Sequence, residues 1–305
     1  MGSRARESFL TGLVALRDSI DSPLISGGDA VGSFLRRGLT IVSYNLLEAF
    51  IGERLEEVAS YINGGLSHFS DLPDRIKRAA AQELLGIAQS KVRRIGPDLS
   101  DVLAYTTEVG QSLAASGGPL RLSPLMWQWT GSNMAVDDFH RTMRLFHIKN
   151  PWDTVRDISI RIGSPMPDPR VTLGGLLRER NLCAHRSSYS VSNLWIRAVP
   201  TQLLILALSA DIGISVAASR MHAADPVFYQ DDGWFSPNRI VLRFVHQRRN
   251  AWAEVLEGRQ RAIRVNADVV IATRAAMSAA LGRSQVVVVQ DMARQTIDWA
   301  YPDFP

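Results

Sequence analysis

Cysteine is nearly missing from this chain: Cys183 is the only one in 305 residues. A single thiol excludes an internal disulfide framework and a Cys-rich metal cluster, and makes a reducing cytoplasm the expected setting. Long polar tracts are also missing. Charged residues make up 21% of the chain against 46% hydrophobic, which excludes extensive disorder and leaves enough apolar mass for a real core. The N-terminal apolar stretch carries Arg4, Arg6, Glu7, Arg17 and Asp18, so it reads as neither signal peptide nor membrane anchor. Arg6 stands where a myristoylation signal needs Ser or Thr. The most membrane-like run, 199–218, is interrupted by Pro200, Gln202 and Asp211, so a buried core helix is expected and no membrane partner. A large excess of one charge is missing as well: the net charge is +4 with a pI near 9.5, which permits a nucleic-acid partner without requiring one.

What is present is helical periodicity. Phe9, Leu10, Leu13, Val14, Leu16 and Ile20 predict a helix over 4–20, stopped by Asp21-Ser22-Pro23, with a Gly-rich linker after it. A longer helix is predicted over 30–62, with Phe34, Leu35, Leu39, Val42, Leu46, Phe50, Leu55 and Val58 facing inward and Asn63-Gly64-Gly65 ending it. Asp71-Leu72-Pro73 opens a helix running to about Arg94, closed by Gly96-Pro97-Asp98, and 99–113 forms another before Gly117-Gly118-Pro119. Further helices are expected over 136–146, from Val171 onward, and over 194–221. After Asp225-Pro226 the texture changes, with a turn at Asp231-Asp232-Gly233, strands over 240–245 and 285–290, and helices over 248–256 and 267–281. The expectation is a mainly α protein: a helical domain over 1–224 and a small α+β C-terminal region over 225–305, packed on the first or standing apart.

Several residues allow both a functional and a structural reading. Lys77, Arg78, Lys91, Arg93 and Arg94 can touch a phosphate backbone or simply form a solvated helix face. The tail has its own basic cluster, Arg248, Arg249, Arg259, Arg261 and Arg264. Trp127 and Trp129 can stack on bases or fill the core. His140 and His147 share a helical face, but with no third ligand nearby no metal site is expected.

The most informative stretch is Leu176-Leu177-Arg178-Glu179-Arg180-Asn181-Leu182-Cys183-Ala184-His185-Arg186. A histidine exchanges protons near neutral pH, and an arginine grips phosphate oxygens with a planar fork. Arg180 and His185 are therefore a candidate reacting pair for phosphodiester chemistry. Spacing alone is weak, because Arg141 with His147 and Arg239 with His246 match once the gap varies between four and six residues. The setting separates the first pair: paired leucines before it, a polar Asn181 directly after the arginine, and Leu-Cys-Ala between.

In that setting the motif resembles the ribonuclease signature of HEPN-domain proteins, an arginine, a polar residue, three variable residues and a histidine. The closest branch is similar to the RiboL-PSP-HEPN-like proteins of bacterial defence and toxin systems. Leu47-Glu48-Ala49-Phe50 also looks like the Leu-Glu-Ala-aromatic segment of these relatives, and Asn150-Pro151 like the ending that precedes their motif. The resemblance does not cover the tail. It implies an antiparallel HEPN-type helical bundle and a homodimer whose composite site takes residues from both chains.

Positions five apart on a straight helix point roughly 140° away from each other, so Arg180 and His185 need not meet on one face. By the family analogy two copies of His185 supply acid and base, and Arg180 stabilises the charge-rich phosphorane formed when a 2′-hydroxyl attacks its own phosphodiester. Asn181 positions the phosphate or the imidazole, and Arg178 and Arg186 hold neighbouring phosphates. Glu48 either reaches water at the edge of its helix or orients the motif arginine. The implied function is a metal-independent, cofactor-free endoribonuclease acting as a toxin or antiphage abortive-infection effector, with RNA as substrate, 2′,3′-cyclic phosphate products, and an antitoxin or regulatory protein as partner. The alternative is a non-catalytic HEPN scaffold that dimerises and binds a protein or nucleic acid. A subset of the family carries a tyrosine two positions after the histidine, where a nucleotidyltransferase antitoxin acts. Ser187 stands there instead, with Tyr189 the nearest tyrosine, so control by that route is not expected.

Overall fold

The computed structural model describes residues 3–95, 98–115 and 119–304. The breaks expected at Gly96-Pro97 and Gly117-Gly118 lie outside the described residues. Helices α1 (Arg4–Ile20), α2 (Pro23–Ser26), α3 (Ala30–Gly65), α4 (Asp74–Arg78), α5 (Leu84–Val92), α6 (Leu99–Ala114), α7 (Val136–Leu145), α8 (Pro151–Arg161), α9 (Pro169–His185), α10 (Asn193–His222), α11 (Pro226–Gln230) and α12 (Val269–Ala280) dominate. Strands β1 (Val241–Arg248), β2 (Ala251–Leu256), β3 (Arg264–Asn266), β4 (Gln285–Gln290) and β5 (Thr296–Ala300) form one small C-terminal sheet. The protein is thus mainly α with a small C-terminal sheet.

Contacts divide the chain into two compact units. The first holds residues 1–51, 150–212 and 236–305; the second holds 52–149 and 213–235. The sheet-bearing segment from residue 236 onward is therefore in the same unit as α1 and α9.

In the first unit α1 buries Ala5, Phe9, Leu13, Leu16 and Ile20 at helical spacing, and Ser3 caps its start by accepting from the Arg6 N–H. Phe9 and Phe50 lie 4.9 Å apart, and Trp299 of β5 meets both edge-on. The Trp299 indole N–H donates to the buried Asp211 carboxylate of α10 at 2.6 Å, so the last strand is anchored in the helical core. The sheet order is β3-β2-β1-β4-β5; β1 and β4 run parallel and every other pair antiparallel. Both faces of β1 and β4 are buried, and α12 packs Ala272, Ala276 and Ala280 against Val245, Val287 and Val289.

Three expectations are corrected here. The segment 248–256 is not helical: the two-residue Arg249-Asn250 turn folds β2 back to pair with β1, from Arg248↔Ala251 to Arg243↔Leu256, and strand pairing overrides the local pattern. Phe34 and Val42 do not face inward; they are 71% and 57% exposed. The stretch after Pro23 contains α2 rather than only linker.

The second unit is built on the later part of α3, where Leu55, Val58 and Ile62 are buried, and on Ile76, Trp127, Phe139, Phe146 and Phe228. Trp127 is completely buried against Phe146, so its core reading holds. Gly213 permits a close approach, because a Cβ there would fall 2.5 Å from the Ile148 side chain. The helix predicted to run to about Arg94 is present with one irregularity: residues Ala79–Glu83 form a π-helical turn between α4 and α5.

α10 is long and apolar enough to cross a membrane, but 89% of its most apolar stretch is buried inside the protein. That is how a core helix behaves.

Candidate functional site

The helix carrying the motif starts two residues before the Val171 that the sequence suggests. Pro169 sits in its first turn, and the Asp168 carboxylate accepts from the Val171 N–H at 2.9 Å. Along α9 the buried residues Pro169, Leu173, Leu176 and Cys183 recur at helical spacing. Arg180 falls on that same stripe, between Leu176 and Cys183, as a half-buried cation among apolar neighbours. One of its Nη atoms donates to the Asn181 side-chain oxygen at 3.3 Å, while its Nε is buried with no hydrogen-bond partner. The Nε atoms of Arg6 and Arg37 are in the same state, so this donor alone does not mark a site.

His185 is the last residue of α9, and it is exposed. Arg178 and Arg186 are exposed as well, and Asn181 is half-buried. The helix therefore turns Arg180 inward and leaves His185 at the surface, as positions five apart require. The two competing Arg/His pairs end differently. His147 is 1% exposed, its Nδ1 lies 2.9 Å from the Asp231 carbonyl and 3.1 Å from the Phe228 carbonyl, and burial pulls its pKa below the usual value. His246, within β1, is buried against Phe244, and burial, aided by Arg294 and Arg248, pulls its pKa down to about 4. Both are core histidines, and of the three only His185 is exposed.

The end of α9 is held from α3. Arg37 donates to the Cys183 carbonyl at 2.9 Å and to the Ser187 carbonyl at 2.7 Å, satisfying acceptors that a helix terminus leaves without partners. Its neighbour Arg36 is buried and donates to Val191, Ile25 and Gly27 carbonyls at 2.9, 2.6 and 2.8 Å. Tyr189 folds back to donate to the Glu179 carboxylate at 2.5 Å; this hydrogen bond, with burial, pushes the phenol up to about 12. Burial pushes the Cys183 thiol up from its usual value, which makes it packing rather than a nucleophile.

Arg180, Asn181 and His185 are singled out by the sequence, whereas Arg36 and Arg37 are not: most of their carbonyl partners, Val191, Cys183 and Ser187, are far along the chain and leave no local pattern. Glu48 lies on α3 in the same unit, half-buried and engaged in interactions of its own. Among the described residues no group of three or more His, Cys, Asp or Glu side chains is placed to hold a metal ion.

An exposed stripe runs along α3 in this unit. Val31, Phe34, Gly38, Val42, Asn45 and Ala49 follow one another at three- and four-residue steps and all face outward. The Ser33 hydroxyl donates to Ser190 at 3.3 Å, which places the start of this stripe beside the segment between α9 and α10; Leu194, in the first turn of α10, is 84% exposed. Compared with protein-family models, with curated proteins and with solved structures, the chain finds no match.

Proposed function

We propose that this protein is a HEPN-type endoribonuclease that cleaves RNA by attack of a 2′-hydroxyl on the adjacent phosphodiester. The observation that carries the reading is the state of the motif: a half-buried arginine whose guanidinium reaches the Asn181 side chain, and an exposed histidine at the end of the same helix. A guanidinium suits the non-bridging oxygens of a phosphorane, whose charge grows in the transition state. An accessible imidazole can remove the 2′-hydroxyl proton or protonate the 5′-oxygen that leaves. In this reading the second copy of His185, which supplies the other proton transfer, comes from a homodimer.

The exposed Val31, Phe34 and Val42 on α3 support that dimer, since apolar residues in a row on a helix face mark an interaction surface. In the homodimer the outward-facing stripes of the two α3 helices pair, the two α9 ends converge, and Arg178 and Arg186 hold flanking phosphates. Products carry 2′,3′-cyclic phosphate and 5′-hydroxyl ends. The biological role that suits such an activity is a cytoplasmic toxin or abortive-infection effector restrained by a partner protein.

The test is cleavage of a mixed single-stranded and structured RNA pool by wild type, Arg180→Ala and His185→Ala in excess EDTA. General acid–base catalysis contributes ~10²–10⁴-fold, so His185→Ala should lose at least that much while keeping its fold. Equal cutting by all three proteins, or cutting only with added metal, would defeat the assignment. RNA binding without cleavage by any of them would favour a non-catalytic scaffold, whose surface would be the same α3 stripe.

A further inference from the structure

The second unit contains a pocket that the nuclease reading does not use. Its volume is about 280 Å³, and Arg75, Arg78, Glu83, Arg141, Arg144 and Leu145 line it. The arginines arrive as two pairs three residues apart, Arg75 and Arg78 on α4, Arg141 and Arg144 on α7. Residues so spaced share a helix face, and like charges there repel. Four guanidinium groups against one carboxylate leave three positive charges in excess among the lining residues. Asp232, 3.0 Å from Arg75, and Asp138, 3.8 Å from Arg141, offset part of that from outside the lining.

Two of the four arginines are braced. Arg75 donates to the Arg144 carbonyl at 2.8 Å and to Asp232, and Arg141 to Glu83 at 2.6 Å and to the Gln128 carbonyl at 2.8 Å. The other two are available. Arg144 makes no ion pair among the described residues; one Nη donates to the Lys149 carbonyl at 2.6 Å. Arg78 is exposed and has no hydrogen bond or ion pair among the described residues. Burial first, and then the neighbouring Arg75, pull the Arg144 pKa below its usual value, with Asp232 opposing them.

An independent feature coincides with this pocket. The rare π-helical turn Ala79–Glu83 follows Arg78 directly and ends on the lining residue Glu83. Such turns occur chiefly as single insertions in α-helices and concentrate at functional sites, because the extra residue re-aims the side chains on either side.

We infer that this pocket binds a compact phosphoryl anion with two or more negative charges, either free diphosphate or the terminal phosphates of a nucleoside polyphosphate. Arginine forks match tetrahedral phosphate oxygens, and several forks around one site need an anion with more oxygens than a carboxylate offers. The size sets a limit: at about 280 Å³ the pocket falls just short of the ~300–1,000 Å³ that organic ligands occupy, so it takes the phosphates and leaves an attached nucleoside outside. Binding neutralises the crowded arginines. A ligand that binds only the folded protein also stabilises it, by an amount that grows with the logarithm of the ligand concentration above its dissociation constant.

The inference stands apart from the ribonuclease reading, and its test does not measure cleavage. Calorimetric titration of the full chain with sodium diphosphate, at constant ionic strength and with sulfate as control, should show saturable binding to one site per chain and a raised melting temperature. Arg78→Gln should weaken that binding at least about tenfold, the worth of one charged hydrogen bond, without unfolding anything, because Arg78 makes no structural bond. Arg144→Gln, checked for fold by circular dichroism, should weaken it by a similar factor. A nucleoside triphosphate binding more tightly than diphosphate identifies the nucleotide as the source, and equal binding identifies the free anion; both support the site. Absence of diphosphate binding at millimolar concentration, binding unchanged in both variants, or displacement by single-stranded RNA at lower phosphate concentration than diphosphate itself requires would overturn it.

Discussion

The Arg37 guanidinium on α3 donates to the Cys183 carbonyl at 2.9 Å, two residues before His185 on the helix that carries the motif. The same guanidinium holds the Ser187 carbonyl at 2.7 Å, two residues after it. His185 is itself exposed and would be free to fray with the end of its helix, so its position depends on a cation brought from elsewhere in the fold.

Replacing Arg37 by alanine should therefore remove two charged hydrogen bonds at once. The expected cost is about 1–3 kcal/mol in folding free energy. Under the proposed chemistry RNA cleavage should fall further than the unfolded fraction explains, because the histidine loses its anchor. Arg37→Lys should recover only part of either loss, since a lysine presents a point charge rather than a fork that spans two carbonyls. Denaturant melts paired with cleavage rates test this. Wild-type activity in a fully folded Arg37→Ala protein would show that the α9 end needs no such support.

How much of this could be read from the chain alone depended on whether the signal was local. α1, α6, α7, α9 and α10 fall close to their predicted bounds because apolar periodicity and Pro, Asp or Gly punctuation agree within each segment. Neighbouring residues alone single out Arg180 and His185 among three Arg/His pairs, and burial separates the histidines in the same way: His147 and His246 are walled in, whereas His185 is exposed. Phe34 and Val42 were misplaced because periodicity identifies an apolar face without saying whether this chain covers it. β2 was misread for the opposite reason: its conformation is dictated by β1, a partner that no window centred on 251–256 weighs. The π turn and the carbonyl partners of Arg36 and Arg37 leave no pattern at all.

His246 gives the protein a pH dependence that can be signed. Its pKa falls from an ordinary value near ~6.5 in the unfolded chain to about 4 in the fold, first through burial and then through Arg294 and Arg248. Below the unfolded value the unfolded chain takes up a proton that the folded one refuses. The contribution is thus complete above ~pH 6.5 and is lost progressively as the pH falls towards the folded value, to a total of about 3 kcal/mol. The direction is the same for His147. Urea midpoints between pH 7 and 5 should fall more steeply for wild type than for His246→Gln; parallel slopes would mean that the imidazole titrates normally.

The Arg161–Glu257 pair predicts an additional acid sensitivity. Burial pushes the Glu257 pKa up, but hydrogen bonds from Arg161 at 2.7 and 2.5 Å and from the Leu242 N–H at 3.1 Å outweigh it and hold the carboxyl below its usual range. Such a group stabilises the fold above its unfolded pKa and loses that contribution as the pH falls through the lower folded value. Arg161 also donates to the Pro237 and Ile240 carbonyls, so the pair ties α8 to the segment that leads into β1. Glu257→Gln should cost about 1–3 kcal/mol at pH 7 and flatten acid unfolding below pH ~4. If its acid transition overlays that of wild type, the carboxyl is not held low.

The sharpest link between the α3 surface and the proposed chemistry is Phe34. A phenylalanine 71% exposed, with Val31 and Val42 in the same row, loses nothing inside its own chain when it becomes charged, so Phe34→Asp should melt within a degree or two of wild type. In a homodimer built on this stripe the same change places two like charges in an apolar contact and leaves them without water, a penalty of several kcal/mol. Light scattering should then report a monomer where wild type is a dimer, and RNA cleavage should vanish although Arg180 and His185 are untouched. A mixture of Phe34→Asp with His185→Ala should stay inactive for the same reason, since neither protein can complete a site with the other. A dimeric, active Phe34→Asp protein would place the partner copy on another face and remove the α3 stripe from the mechanism. A monomer that still cleaves would show that one chain suffices, and the composite site would have to be abandoned.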